Sequence, residues 1–223
     1  MKKQIIHTAD GSSSIYLPEL DEHYHSRHGA IQEAYHVFIR MGLDLFEDKS
    51  SVRILEMGFG TGLNCFITFL EARRRELEVQ YTGIEAFPLQ PDLVRELRHV
   101  KQLGAGAFED AYELLHASPW ESVVDIRDDF RLLKREARFE DICYEESFDL
   151  VYFDAFGARV QPELWEERIF RSMFLALDRE GVLVTYAAKG SVRRAMQSVG
   201  FEVERLPGPP GKREMLRARK RGS

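Results

Sequence analysis

Apolar residues along this chain fall into two rhythms, and their alternation outlines an α/β protein. A continuous apolar run from Val52 to Met57 reads as a strand buried on both faces. Similar runs at Val79–Glu85, Phe148–Asp154 and Gly181–Tyr186 read as its neighbours. Between them, apolar positions recur every three or four residues, the spacing of a helix with one buried face. That spacing predicts helices over Ala30–Phe46, Leu63–Glu76, Pro91–Val100, Phe108–His116, Pro162–Leu177 and Ser191–Val199. Pro162 suits a first helical turn. Phe201–Glu204 and Glu214–Leu216 read as final strands, joined by a turn rich in proline and glycine at 206–211. The stretch Ser122–Glu140 stays open. Val123–Ile126 looks like a strand, while Phe130–Phe139 fits a returning strand or a helix. Residues 1–27 form an N-terminal extension, in which Ile5-Ile6 and Ile15-Tyr16-Leu17 flank the turn cluster Asp10–Ser14 as an expected hairpin. Residues 28–223 then make one domain, with strands alternating with helices around a mostly parallel sheet.

The first long strand runs into Glu56-Met57-Gly58-Phe59-Gly60-Thr61-Gly62-Leu63-Asn64, and a helix follows at once. Strand, glycine turn and helix together present backbone N–H groups and a helix start to a ligand. A dinucleotide fingerprint needs glycines at offsets 0, 2 and 5. Gly58 and Gly60 fit, but Leu63 occupies the third offset and the extra glycine, Gly62, comes early. Glu56 puts an acid just before the loop, which suits a cationic ligand better than a pyrophosphate. S-adenosylmethionine, with its ammonium and sulfonium, is such a ligand. A tight turn that needs glycines for backbone reasons alone is the competing explanation.

Other candidates cluster at strand ends, where ligands bind in open α/β sheets. Glu85 ends the second strand, 27 positions after Gly58. It is expected to take ribose hydroxyls, against the plainer reading of an exposed loop acid. Asp154 ends a later strand and is followed by Ala155-Phe156-Gly157, an acid beside an aromatic ring. Asp141 is either an acceptor for an adenine amino group or a surface acid. Glu33 lies in the first turn of its helix, where a negative charge is favourable in any case. His23, His25 and His28 are close in sequence, but their spacing matches no standard metal pattern, and no metal is expected.

Composition changes this picture in one respect. The 223-residue chain carries a net charge of -6, which argues against indiscriminate binding to nucleic acid. From Lys189 onward, however, ten Lys and Arg residues face three acids, so that segment carries +7 and the rest -13. The asymmetry fits either an anionic partner or a solvated basic tail. Two cysteines, no apolar run long enough for a bilayer and no apolar stretch after the basic Met1–Lys3 point to a reduced, cytoplasmic setting without a membrane.

With these residues in place, four stretches resemble the MnmC-type tRNA methyltransferase family. They are Gly29–Phe38, Glu56–Asn64, Asp154–Trp165, and Val192-Arg193-Arg194 running on to Gly211-Lys212-Arg213-Glu214-Met215-Leu216. The resemblance covers roughly residues 10–217, and it implies a Rossmann-like methyltransferase fold with a seven-stranded sheet. It implies S-adenosylmethionine as cofactor, held by Glu56, Gly58, Phe59, Gly60, Thr61, Gly62, Asn64, Glu85, Asp141 and Asp154. It also implies tRNA as substrate, methylated on the 5-aminomethyl group of wobble uridine 34. Asp154 would be the catalytic acceptor. Glu33, Phe156, Lys189, Arg193, Arg194, Lys212 and Arg213 would contact the substrate. The family's oxidoreductase half is not expected in this chain. One departure stands out: where the family commonly has Asp-Gly-Phe-Ala-Pro, this chain has Asp154-Ala155-Phe156-Gly157-Ala158, and losing the proline is expected to loosen that loop.

Overall fold

A computed structural model describes residues 2–222. Met1 and Ser223, the outer ends of the two expected segments, lie outside the described residues. Three short strands come first: β1 (Gln4–His7), β2 (Ser13–Leu17) and β3 (Glu22–His23). The main domain then runs α1 (Ala30–Ala34), β4 (Ser51–Met57), α2 (Leu63–Arg75), β5 (Glu78–Glu85), α3 (Pro91–Glu96), α4 (His99–Gln102) and α5 (Glu109–Ala117). It continues through β6 (Val123–Arg127), β7 (Phe130–Glu136), β8 (Phe148–Phe153), α6 (Glu167–Ala176), β9 (Leu177–Thr185), α7 (Gly190–Ser198), β10 (Glu202–Pro207) and β11 (Glu214–Arg219).

The large sheet has the order β10-β11-β9-β8-β4-β5-β7-β6. Its centre, from β9 to β7, is parallel, and the pairs at both edges are antiparallel. Alternate side chains of the central strands enter two separate cores, one on each face of the sheet. Val52, Ile54, Leu150, Tyr152, Val182 and Val184 pack on the face covered by α2 and α5. Leu55, Met57, Val151, Phe153 and Leu183 pack on the face covered by α6 and α7. Burial on both faces is why these strands read as unbroken apolar runs. From β4 the chain crosses by α2 to β5 on one side, while β8 pairs on the other. The C-terminal ends of β4 and β8 therefore flank a topological switch point, the usual ligand crevice of such sheets.

The sheet has eight strands rather than seven. The extra one comes from the open stretch, where β6 and β7 form a hairpin. Phe130, Leu132 and Lys134 are all buried on one side of β7, so the period is two. A lysine in the third inward position hid that period from the sequence. Lys134 is tolerated because its ammonium donates to the carbonyl of His116 and faces the ring of Trp120 at 5.1 Å.

The expected N-terminal hairpin gains β3 and becomes a three-stranded sheet. The helix expected over Ala30–Phe46 is broken. After α1 the turns widen over Tyr35–Arg40, where Met41 N–H reaches back to His36 O, and Leu43–Phe46 is a separate tight turn. The helix expected from Pro162 is likewise split. Pro162–Trp165 makes one tight turn, Glu166 is extended, and α6 starts only at Glu167. Pro91–Val100 divides into α3 and α4 at Arg98, whose φ is +54°.

Candidate active site

A cavity of about 710 Å³ opens at the C-terminal ends of β4, β5, β8 and β9. The glycine loop after β4 forms one part of its wall. Gly58 has φ +98°, and a Cβ there would lie 2.5 Å from the carbonyl oxygen of Asp154. Glycine is thus required both by backbone conformation and by the close approach of the chain leaving β8. At Gly62, φ +70°, a Cβ would lie 2.7 Å from the His116 ring. Phe59 is buried beneath the loop, its ring covering Gly83. Thr61 is buried, with its hydroxyl 3.4 Å from His25 Nε2.

The loop is poorly suited to a pyrophosphate. The N–H groups of Gly58 and Phe59 donate to Ile84 O, that of Gly62 donates to Phe59 O, and that of Gly60 donates to the Glu85 carboxylate. These donors are spent inside the protein. Glu85 itself also accepts from Phe87 N–H, one bond to each of its oxygens, and lines the cavity beside Ala86 and Phe87. Each oxygen keeps a lone pair, which fits a diol such as a ribose.

Asn64 links this wall to Asp154. Its amide donates to Glu56 Oε1 at 2.9 Å and to Asp154 Oδ2 at 2.8 Å. With the NH₂ committed to two carboxylates, Asn64 Oδ1 is a buried acceptor with no partner among the described residues, and Asn64 lines the cavity. Glu56 is fully buried and also accepts from the Tyr81 hydroxyl at 2.9 Å. Burial pushes its carboxyl well above the usual range. Glu56 therefore stands behind Asn64 and not on the cavity wall, so its expected direct contact with a ligand becomes an indirect one.

Asp154 follows β8 and faces the cavity. Burial, and then the nearby charge of Glu33, raise its carboxyl to about 7. Glu33, only 7% exposed, accepts from Ser26 N–H at 2.8 Å and forms an ion pair with Lys212. Lys212 Nζ lies 3.7 Å from the centre of the Tyr186 ring. Tyr186 follows β9 and donates its hydroxyl to Ala155 O, and Trp165 Nε1 donates to Phe156 O, both at 2.8 Å. These two bonds pin the loop that the missing proline was expected to loosen. Phe156 meets Tyr24 edge to face at 5.0 Å.

The remaining candidates lie elsewhere. Asp141 is exposed and is not on the wall; its neighbours Arg138, Phe139 and Glu140 are. Lys189, Arg193 and Arg194 sit at the start of α7 and Arg213 on the turn into β11, next in the chain to Tyr186 and Lys212 but outside the cavity. Of the ten C-terminal cations, Arg205, Lys212, Arg217, Arg219, Lys220 and Arg221 form ion pairs with acids. Lys189, Arg193, Arg194 and Arg213 form none among the described residues. The three histidines do line the cavity, each held by different neighbours. His25 bonds Ser14 Oγ at 3.0 Å, His23 accepts from Arg27, and His28 is exposed beside Gly211. Among the described residues no three His, Cys, Asp or Glu side chains are grouped to hold a metal.

Sequence reasoning missed Tyr24 and Tyr186, and weighed His25 only as a metal ligand. Tyr186 had a usable signal, its place directly after a parallel strand, whereas Tyr24 had none. The cavity wall carries seven acids against three Lys or Arg residues, Arg27, Arg138 and Lys212. Together with the orphan Asn64 oxygen, the spent N–H groups and the Glu85 carboxylate, that balance fits S-adenosylmethionine, a cation bearing an ammonium donor and a ribose diol.

Several known proteins are similar to this chain. A family described as S-adenosyl-L-methionine-dependent methyltransferase matches residues 121–221. The chain is 30% identical over 220 residues to the tRNA 5-methylaminomethyl-2-thiouridine biosynthesis bifunctional protein MnmC of Paracidovorax citrulli, covering 91% of this chain and 33% of that protein. The Burkholderia thailandensis protein of the same name is 29% identical, with 95% and 34% covered. The chain thus spans about a third of the length of these relatives. Among solved structures, MnmC2 from Aquifex aeolicus superposes with a TM-score of 0.75 at 26% identity, over 100% of this chain and 72% of that one. Spermidine synthase from Thermotoga maritima, at 12% identity and TM-score 0.59, covering 98% and 69%, shares the fold. The chain is thus similar in sequence to the methyltransferase portion of the MnmC-named proteins and shares the fold of S-adenosyl-L-methionine-dependent methyltransferases.

Proposed function

We propose that the protein methylates the 5-aminomethyl group of wobble uridine 34 in tRNA, giving 5-methylaminomethyl-(2-thio)uridine. The observation that carries this reading is the position of Asp154. Through Asn64 it is tied to the glycine loop, and across the cavity it faces Glu33 and the aromatic walls of Tyr186 and Phe156. The names of the MnmC relatives supply the substrate class.

When bound, S-adenosylmethionine supplies an electrophilic methyl group. The residues must then deliver an amine with its lone pair free and aimed. Asp154 accepts a hydrogen bond from the amine and so orients it. Its raised pKa, about 7, makes it able to hold the proton that the amine gives up. Asn64 fixes which Asp154 oxygen stays free. Phe156, backed by Tyr24, offers a face to a planar base. Lys189, Arg193, Arg194 and Arg213, which form no ion pairs among the described residues, hold tRNA phosphates outside an acidic pocket that would repel them.

Transfer of labelled methyl from S-adenosylmethionine to tRNA that carries the unmethylated aminomethyl group tests the reading. Label in that tRNA, and none in tRNA without the group, is the expected result. Label only in a small-molecule or protein amine would redirect the activity to that acceptor. Binding without transfer would leave an RNA-binding module on this fold.

A further inference from the structure

The ammonium of Lys212 stands on the cavity wall between carboxylates and an aromatic ring. It is held by the Glu33 carboxylate and lies over the Tyr186 ring, and its charge acts on Asp154. Two carboxylates and an aromatic face make up the chemistry that recognises an alkylammonium ion: acceptors for its N–H groups, and a negative ring face for its charge. The partners differ in how firmly they are set. The Glu33 side chain is 9% exposed and carries a second bond, from Ser26 N–H, whereas the Lys212 side chain is 32% exposed and extends from a turn on a flexible stem. The acid stays and the lysine is free to leave. Without a cation here, two acids would face each other in a cavity already rich in negative charge.

We propose that Glu33, Asp154 and the face of Tyr186 form a receptor for a primary alkylammonium group, that Lys212 fills it in the free protein, and that the aminomethyl group of the substrate displaces Lys212 on binding. The inference rests on the reading that the acceptor is an alkyl amine. It assigns Lys212 a part that a phosphate contact would not: a stand-in for the substrate, built into the chain. A ligand that must evict an occupant has its affinity scaled down to the fraction of time the receptor is free. A neutral ligand of the same size has no charge to offer the two carboxylates and does not displace the lysine, so its affinity is indifferent to the occupant.

Calorimetry on the full chain saturated with S-adenosylhomocysteine tests this. The ligand is 5-aminomethyluridine, and 5-hydroxymethyluridine is the neutral control of equal size. Lys212→Met is expected to bind the amine about tenfold or more tighter than wild type, with the control unchanged. Adding Glu33→Gln should remove the gain. Lys212→Arg, whose planar guanidinium pairs more firmly with Glu33, is expected to bind the amine more weakly than wild type. An equal gain for amine and control would reduce Lys212 to a steric plug, and no gain at all would make its ion pair purely structural; either overturns the proposal. Should Lys212→Met fail to bind S-adenosylhomocysteine, Lys212→Arg decides alone, and amine affinity equal to or above wild type overturns it. Butylammonium separates the two layers of the argument. A gain for butylammonium without one for the nucleoside keeps the receptor and removes the uridine.

Discussion

The two walls of the cavity are built in opposite ways. One comes from a single continuous stretch, Gly58 to Phe87, and works through backbone turns, a helix start and the acid that ends β5. The other is assembled from Tyr24, Glu33, Asp154, Phe156, Tyr186 and Lys212, residues drawn from both ends of the chain. What brings them together is topology. β11 pairs antiparallel with β9, which returns the turn at 207–213 to the strand ends where Asp154 and Tyr186 stand. A wall made of backbone suits a ligand whose recognition stays the same across many acceptors. A wall made of distant side chains can be altered residue by residue to suit one acceptor.

Asp154 lies where the walls meet, and its loss is expected to have the largest effect. Asp154→Asn should lower the single-turnover methylation rate by about 10²–10⁴, as for a positioned proton acceptor, while S-adenosylmethionine affinity stays within a few-fold. A variant within a few-fold of the wild-type rate would leave Asp154 a loop-shaping residue. Next comes the first wall alone. Glu85→Ala should weaken S-adenosylmethionine binding by about 1–3 kcal/mol and leave tRNA affinity intact, read by calorimetry. Unchanged cofactor affinity would confine Glu85 to bracing Gly60 and Phe87.

The same contrast decides how much was legible in the sequence. The first wall was, because strand, glycines, helix and terminal acid follow one another in the chain. Glu56 is the exception within it: the acid is plain to read, but only the structure shows Asn64 standing between it and the cavity. The second wall was legible at Asp154 and Phe156, which follow an obvious strand. It was not at Tyr24, which reaches the cavity through a three-stranded extension with no pattern pointing there, and His25 stood out only for its neighbouring histidines. Lys212 and Arg213 look alike in sequence, yet one is held inside the cavity by Glu33 and the other is exposed. The eighth strand was hidden by Lys134, a charge in a core position.

A smaller effect separates Glu33 from its neighbours. Asp154 accepts a proton only when ionised, and burial followed by the charge of Glu33 sets its carboxyl near 7. The single-turnover rate should therefore rise with pH through about 7. Glu33→Gln should move that inflection to lower pH, and an unmoved inflection would mean that the two acids do not face each other. The stability consequence has a definite sign. Because the folded value lies above the unfolded value near 3.8, ionising Asp154 costs stability as pH rises towards 7 and beyond. Asp154→Asn should accordingly melt higher than wild type at pH 8, and the difference should fade towards pH 4.

The smallest expected change lies outside both walls. Arg193→Ala with Arg213→Ala should weaken tRNA binding and flatten the slope of log affinity against log salt by roughly 1.4, about 0.7 for each phosphate no longer neutralised. Lys212→Met should leave that slope unchanged, since its ammonium is inside the cavity. A slope altered by Lys212 and not by the arginines would reverse the division between cavity and rim.

The central claim is that one cavity brings a cofactor methyl group and a uridine aminomethyl group together around Asp154. Its most direct test uses S-adenosylmethionine with a deuterated methyl group and tRNA whose only 5-aminomethyl nucleoside is at position 34. After digestion to nucleosides, mass spectrometry should find the labelled methyl on that nucleoside with the wild-type protein, and none with Asp154→Asn within the same time. Labelled methyl on another nucleoside, or none on any with wild-type protein that binds both partners, would contradict the account.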